Sequence, residues 1–370
     1  MLNQLIFKGR SVGMNNFDIK YFLASNSSEG FVSVFGESFC AKDGWRCFII
    51  KGGPGTGKSS FMKYIASKAA IKDMEIHLCP CSSDPDSLDA IILPQKKIIV
   101  LDGTAPHTLD PIYPAVCEEI LNFGAFWDTD KIKQNSSKII SVTDANKLLH
   151  KTASKYLRVA GQMTYENYKT ALLSTDLQKA KKYAMKLCKK YIPKRDGEGK
   201  EKTVFLNAVT PKGVVSFTKT ALLMAENPII IEDRFGTVSN EICKIVREEA
   251  LAGGYNIITV RNALLPSVII DHVIIPELSI AFLREYDFAH FGSESRRIHA
   301  RRFTNVKSLS KNREKLKFNK KVSKELLLEA IATLQNAKTV HDKLEEYYVD
   351  AMDFEALTLF AKDFCQEILK

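Results

Sequence analysis

The sequence predicts an α/β fold in which one unit, with a helical segment appended, occurs twice in tandem. Three observations carry this. Short apolar, β-prone runs alternate with stretches of helical period along the 370 residues. A glycine-rich loop joins one such run to one such helix. And the order of events in the first half returns about 180 residues later. Phe48-Ile49-Ile50 returns as Ile229-Ile230-Ile231, Gly55-Thr56 as Gly236-Thr237, Asp89 as Asp271, and Ala184 with Cys188 as Ala361 with Cys365. The length suits two domains. We expect them at residues 14–192 and 203–370, with 193–202, rich in charge and glycine after Pro193, as the linker.

In order along the chain, Phe31–Phe35 and the run before Ser27-Ser28-Glu29-Gly30 read as a hairpin. Cys47–Lys51 reads as a buried strand, and Phe61–Ala66 has helical spacing. Between them stands Gly52-Gly53-Pro54-Gly55-Thr56-Gly57-Lys58-Ser59-Ser60, which fits G-x-x-x-x-G-K-[ST] in its required strand-to-helix setting. Glycines at 52, 55 and 57 let backbone N–H groups close on an anion, and the following helix adds its positive end. Gly52, Gly53, Gly55, Thr56, Gly57, Lys58, Ser59 and Ser60 are therefore the expected nucleotide-binding residues. Lys58 would reach the terminal phosphates and the Ser59 hydroxyl would ligate Mg²⁺.

A further strand, Lys97–Asp102, ends in an aspartate, the Walker B arrangement, so Asp102 is expected to hold Mg²⁺ through water. Thr104 and His107 follow at once and are candidates for polarising the attacking water or sensing the γ-phosphate. Asp84-Pro85-Asp86 has two readings. It could open a helix, with Asp84 as N-cap, or form a substrate loop in which Asp84, Asp86 and Asp89 orient an acceptor.

From Asn122 to Lys190 the period is helical, with an apolar stripe at Leu148, Leu149, Ala153, Tyr156, Leu157 and Ala160. In the second copy the loop chemistry is lost. Counting 181 residues from the first loop, Asp233 stands at Gly52, Val238 at Gly57 and Ser239-Asn240 at Lys58-Ser59, with Arg284 near the place of Asp102. A carboxylate there would repel phosphate, so no nucleotide–Mg²⁺ site of the usual kind is expected. The densest basic cluster is Ser295–Arg302. It reads as a solvated face, as arginines for phosphoryl transfer, or as a nucleic-acid contact.

No apolar run approaches a membrane span, since the longest, near Leu264–Ile275, is broken by Pro266, Ser267, Asp271 and His272. No leader pattern opens the chain, and eight cysteines without paired spacing suit buried thiols in the cytoplasm. The net charge of +10 fits an anionic substrate; a nucleic-acid partner is the less favoured reading, because the lysines lie along helix faces.

The glycine loop, Cys81–Asp89 and Asp102-Gly103-Thr104-Ala105-Pro106-His107 together resemble a little-characterised bacterial family of duplicated P-loop ATPases. The resemblance covers nearly the whole chain and implies ATP binding and hydrolysis. Members of that family tend to carry the loop in both halves, whereas here the second is degenerate. The expectation is an Mg-ATP-dependent P-loop hydrolase, active in the first half, with the second half a scaffold or regulatory copy. A nucleotide or metabolite kinase is the enzymatic alternative, and a nucleotide-gated, nucleic-acid-associated module the non-enzymatic one.

Overall fold

The computed structural model describes residues 19–37, 41–106, 108–292 and 295–370. The first elements are β1 (Ile19–Lys20), β2 (Ala24–Ser27), β3 (Gly30–Ser33), β4 (Arg46–Lys51), α1 (Lys58–Ile71), β5 (His77–Pro80), β6 (Leu88–Leu93), β7 (Ile98–Asp102) and β8 (Glu118–Asn122). Three helices follow, α2 (Thr129–Gln134), α3 (Ser136–Leu172) and α4 (Leu177–Tyr191). Then come β9 (Glu201–Val204), β10 (Asn207–Thr210), β11 (Gly213–Ser216), α5 (Thr218–Leu223), β12 (Asn227–Glu232), α6 (Thr237–Ala252), β13 (Ile257–Arg261), β14 (Ile270–Ile275), β15 (Ile280–Glu285) and β16 (Arg296–His299). The chain ends in α7 (Val306–Ser310), α8 (Arg313–Val349) and α9 (Phe354–Ile368).

These elements form two compact units that do not follow the expected boundaries at 192 and 203. Of the described residues, the first unit takes 19–23, 35–152 and 332–370, and the second takes 24–34 and 153–331.

The first unit holds a mixed six-stranded sheet in the order β1-β5-β6-β7-β4-β8. Only β6 runs against its neighbours; β4 lies parallel to both β7 and β8. The run Cys47–Ile50 is buried at every position, as a strand covered on both faces must be. Helix α1 turns Phe61, Met62, Ile65, Ala66 and Ala69 inward. What covers them is α9, from the far end of the chain, through Leu357, Ala361, Phe364, Cys365 and Ile368. Phe364 stands edge-on to Phe48 at 4.8 Å and tilted on Phe61 at 5.4 Å. Asp353 starts α9 by accepting the Ala356 N–H.

The second unit holds another mixed sheet, β9-β13-β14-β15-β12-β16, with the same order and the same pairing senses. Its helix α6 is covered by α4, the helix that ends the first half, through Ala180, Ala184, Leu187 and Cys188. The buried pair Ala184 and Cys188 thus does for α6 what Ala361 and Cys365 do for α1. A four-stranded sheet, β11-β10-β2-β3, joins the two hairpins of the chain within this unit.

Three expectations need correction. Asp84 caps no helix: β5 and β6 form an antiparallel pair, and Asp84 sits in the turn between them. Leu148 is exposed, while Ala153, Leu157 and Ala160 of the same stripe are buried. The linker is tied down, since Arg195 donates to the Gly254 carbonyl and pairs with Glu277 at 2.6 Å, and Glu201 already belongs to edge strand β9.

The seven described cysteines are free, and burial pushes the Cys188 thiol up to about 12. Among the described residues no helix is long and apolar enough to cross a membrane.

The exchange of terminal helices is testable. Phe364→Ala should destabilise the first unit by about 3–5 kcal/mol, read from urea unfolding. Residues 14–192 alone, lacking α9, should not give a cooperative unfolding transition.

Candidate functional site

In the first unit the glycine loop runs from the end of β4 into α1. Gly55 and Gly57 take φ of +69° and +82°, the left-handed region where a Cβ is penalised. The Thr56 hydroxyl closes the curl by donating to the Gly53 carbonyl at 2.8 Å. The first bond of α1 runs from the Phe61 N–H to the Gly57 carbonyl. Gly57 gives no side-chain cap, and among the described residues no side chain accepts from the amides of Gly57, Lys58, Ser59 or Ser60. A helix that starts this way presents unpaired N–H groups and a partial positive charge at its mouth.

Lys58 lies across that mouth. Its Nζ donates to the carbonyls of Gly53 at 2.8 Å and Gly52 at 3.3 Å, and stands 3.6 Å from Asp102 Oδ2. The other carboxylate oxygen of Asp102 accepts both the N–H and the hydroxyl of Thr104, at 2.9 and 2.6 Å. Thr104 therefore orients Asp102. Because β7 is the immediate neighbour of β4, Ile50 pairs with Asp102, and the carboxylate comes to the foot of the loop. The Ser59 hydroxyl accepts the Leu88 N–H at 3.0 Å, which fixes it against the start of β6. His107 lies outside the described residues.

The three candidate acids are spread out. Asp84 accepts from the Ser87 hydroxyl at 2.8 Å and the Asp86 N–H at 3.3 Å, and faces Lys338 at 3.5 Å. Asp86 offers its carbonyl to Lys63 at 2.6 Å, so the turn is fastened to α1. Asp89 is buried inside β6, next to Ala90, whose partner on β7 is Leu101.

Two contacts on the loop were not foreseen. The Glu345 carboxylate, near the end of α8, lies beside the Gly55 N–H and stands 3.5 Å from His341. Burial would raise its pKa, but His341, Lys338 and the Gly55 amide outweigh burial and hold it below the usual value. The Tyr348 ring lies against Gly53, where a Cβ would come within 2.8 Å of it, and packs at 5.8 Å on Trp127. A hollow of about 330 Å³ adjoins Trp127, lined among others by Phe126, Lys131 and Met352. No local signal could have placed Glu345 here, because nearly three hundred residues separate it from Gly55.

The corresponding loop of the second unit is already filled. With the 181-residue offset, buried Phe61, Met62, Ile65 and Ala69 match Ile242, Cys243, Val246 and Ala250, which are buried too. Yet α6 starts at Thr237, the counterpart of Thr56, so the last part of the loop is wound into the helix. The Asp233 carboxylate occupies its mouth and accepts the N–H groups of Phe235, Gly236, Val238 and Ser239 at 3.2, 3.0, 2.7 and 2.9 Å. Arg284, paired with Ile231 as Asp102 is with Ile50, donates to the Asp233 carbonyl at 2.9 Å and to Asp271 at 2.8 Å. The chain supplies its own anion and its own cation here.

Behind this pair, fully buried His272 accepts the Arg284 N–H on Nδ1 at 3.0 Å and meets Phe291 edge-on. Burial lowers its pKa to about 4. Arginines of the basic cluster divide: Arg297 is bound by Glu232 and Glu285 at 2.8 Å each, whereas Arg296, Arg301 and Arg302 are exposed.

Among the described residues no group of three or more His, Cys, Asp or Glu could hold a metal ion. No family model, curated protein or solved structure matches the chain.

Two outcomes follow for the second unit. Arg284→Met should cost about 3–5 kcal/mol, because it strands the Asp271 charge, and adding Asp271→Asn should recover most of the loss in denaturant titrations. His272 is neutral when folded and takes a proton near 6.5 when unfolded. Its contribution is therefore complete above pH 6.5 and is lost as pH falls toward 4, by about 3 kcal/mol. NMR should find one imidazole that does not titrate above pH 5.

Proposed function

We propose that the chain is a P-loop ATPase with one working site, in the first unit, and a second, self-occupied copy that binds no nucleotide. The observation that carries this is the contrast between the two helix mouths. At α1 the amides of residues 57–60 meet no side-chain acceptor and a lysine lies across them; at α6 a carboxylate takes four amides. The matching strand order of the two sheets supports a tandem duplication as the origin of that contrast.

On this reading the amides of the loop and Lys58 take the β- and γ-phosphates of ATP. The donors on hand suit magnesium: one serine hydroxyl and one carboxylate, both hard oxygens, with too few protein ligands to displace its water and phosphate partners. Ser59 and, through water, Asp102 would hold the ion, which when bound supplies charge neutralisation to the phosphate oxygens. Thr104 keeps the Asp102 carboxylate turned toward Lys58. Water attacks the γ-phosphorus, the bond to the bridging oxygen breaks, and ADP, phosphate and one proton leave. Lys58 and the amides stabilise charge that grows on the leaving oxygens.

Hydrolysis is favoured over transfer to an acceptor by the three acids meant to orient one. Asp84 is engaged by Ser87 and Lys338, Asp86 is fastened through its backbone carbonyl to Lys63 with its carboxylate left at the surface, and Asp89 is buried. Glu345 lies beside the Gly55 amide, so an incoming phosphate would meet its charge and the end of α8 would report occupancy of the loop.

Purified protein should release phosphate from Mg-ATP with no acceptor added. Lys58→Ala should weaken ATP binding about tenfold to a hundredfold, the loss of a charge-assisted hydrogen bond to phosphate, and should abolish turnover. Turnover unchanged in Lys58→Ala would refute the proposal.

A further inference from the structure

We propose that the exposed face of the second unit formed by α4, β16 and the turn after it is a docking surface for the phosphate backbone of a nucleic acid. Helix α4 carries six lysines and no acidic residue in 15 positions, and all six are exposed. Only Lys181 has a carboxylate partner, Glu241 at 3.6 Å; Lys182, Lys186 and Lys189 have none among the described residues. Those three fall at intervals of four and three, so they line one stripe of the helix.

Beside the stripe stands an arginine held without being neutralised. Arg296 donates to the hydroxyls of Tyr183, at 3.2 Å, and Tyr191, and its guanidinium lies 5.6 Å from the Tyr191 ring centre. Arg302 stands 5.2 Å from the Tyr183 ring and Lys190 5.0 Å from that of Tyr191. Tyrosines thus fix the direction of these cations and leave their charge available to a phosphate backbone. The nearby carboxylates are spoken for: Glu232 and Glu285 bind Arg297, and Glu232 also binds His299.

The molecule contains its own control. In the first unit the corresponding helix, α9, has one lysine and three acidic residues, and the corresponding edge strand, β8, begins Glu118-Glu119 where β16 begins Arg296-Arg297. The fold therefore does not require a basic face at this position. An anionic membrane is the poorer fit, because Met185 is the only large hydrophobic side chain exposed on α4, leaving no apolar edge to insert. A folded acidic protein would want an apolar centre to the patch, and α4 offers Met185 alone.

The test uses the full chain and fluorescence anisotropy with a labelled 20-nucleotide single strand, a duplex of equal length, and phosphatidylserine vesicles read by sedimentation. At about 50 mM salt the wild type should bind at least one of the nucleic acids, with affinity falling steeply as salt rises. The variant Lys182→Glu/Lys186→Glu/Lys189→Glu should bind at least tenfold more weakly and, for the single strand, flatten the salt slope by about 2. Lys131→Glu/Lys133→Glu, on α2 of the first unit, should bind as wild type does. Whichever of strand or duplex binds better names the nucleic acid. Binding to neither, binding to vesicles alone, or equal losses in the two variants would overturn the proposal. Circular dichroism of the triple variant, whose changes are all on exposed positions, separates lost binding from lost fold.

Discussion

A helix that begins without a cap leaves backbone amides whose hydrogen bonds must be met by something, and that requirement organises both halves of this chain. At α6 the answer is internal: Asp233 folds back onto four amides, and Arg284 stands beside it as a fixed countercharge. At α1 the equivalent positions are glycine and aspartate, Gly52 and Asp102, and among the described residues no side chain accepts the amides of the helix mouth. Asp233 puts an anion into the second loop, and Arg284 holds the register in its sheet that Asp102 holds in the first. Arg284 is matched by Asp271 and by the loop carbonyls of Asp233 and Arg234, while the Asp233 carboxylate is given to the amides.

The second organising feature is the exchange of terminal helices. Each six-stranded sheet exposes a helix whose apolar face must be buried, and each is covered by the helix that ends the other half of the sequence. The first unit therefore depends on residues 332–370 for its core as well as for the Glu345 and Tyr348 contacts on its glycine loop. The loop is therefore touched by a segment that is remote in sequence.

Much of this was legible in the residues. The strand before the glycine loop, the helix after it and the strand ending in Asp102 are all local patterns, and local patterns survive in the fold. What was not legible is long-range. The period of Ala180, Ala184 and Leu187 says that a face is buried, not which sheet buries it, so the helices could not be assigned to units from sequence. Asp84-Pro85 looks like a helix start because its capping chemistry is the same as that of a tight turn; the antiparallel pairing of β5 with β6 decided between them. Asp233 was read as repelling a ligand. The geometry gives it a more specific task, since a carboxylate three residues before the helix cap can itself accept the amides that a phosphate would have taken. Thr104 looked like a group aimed at the attacking water, and both its donors instead go to Asp102.

The helix mouth at Lys58 meets no side-chain acceptor among the described residues, and the one at Asp233 is filled. Calorimetric titration of the full chain with a non-hydrolysable ATP analogue and magnesium measures that difference directly, as the number of nucleotides bound per chain. The account predicts one, with Asp233 and its loop taking none; two sites of comparable affinity, or none at all, would contradict it.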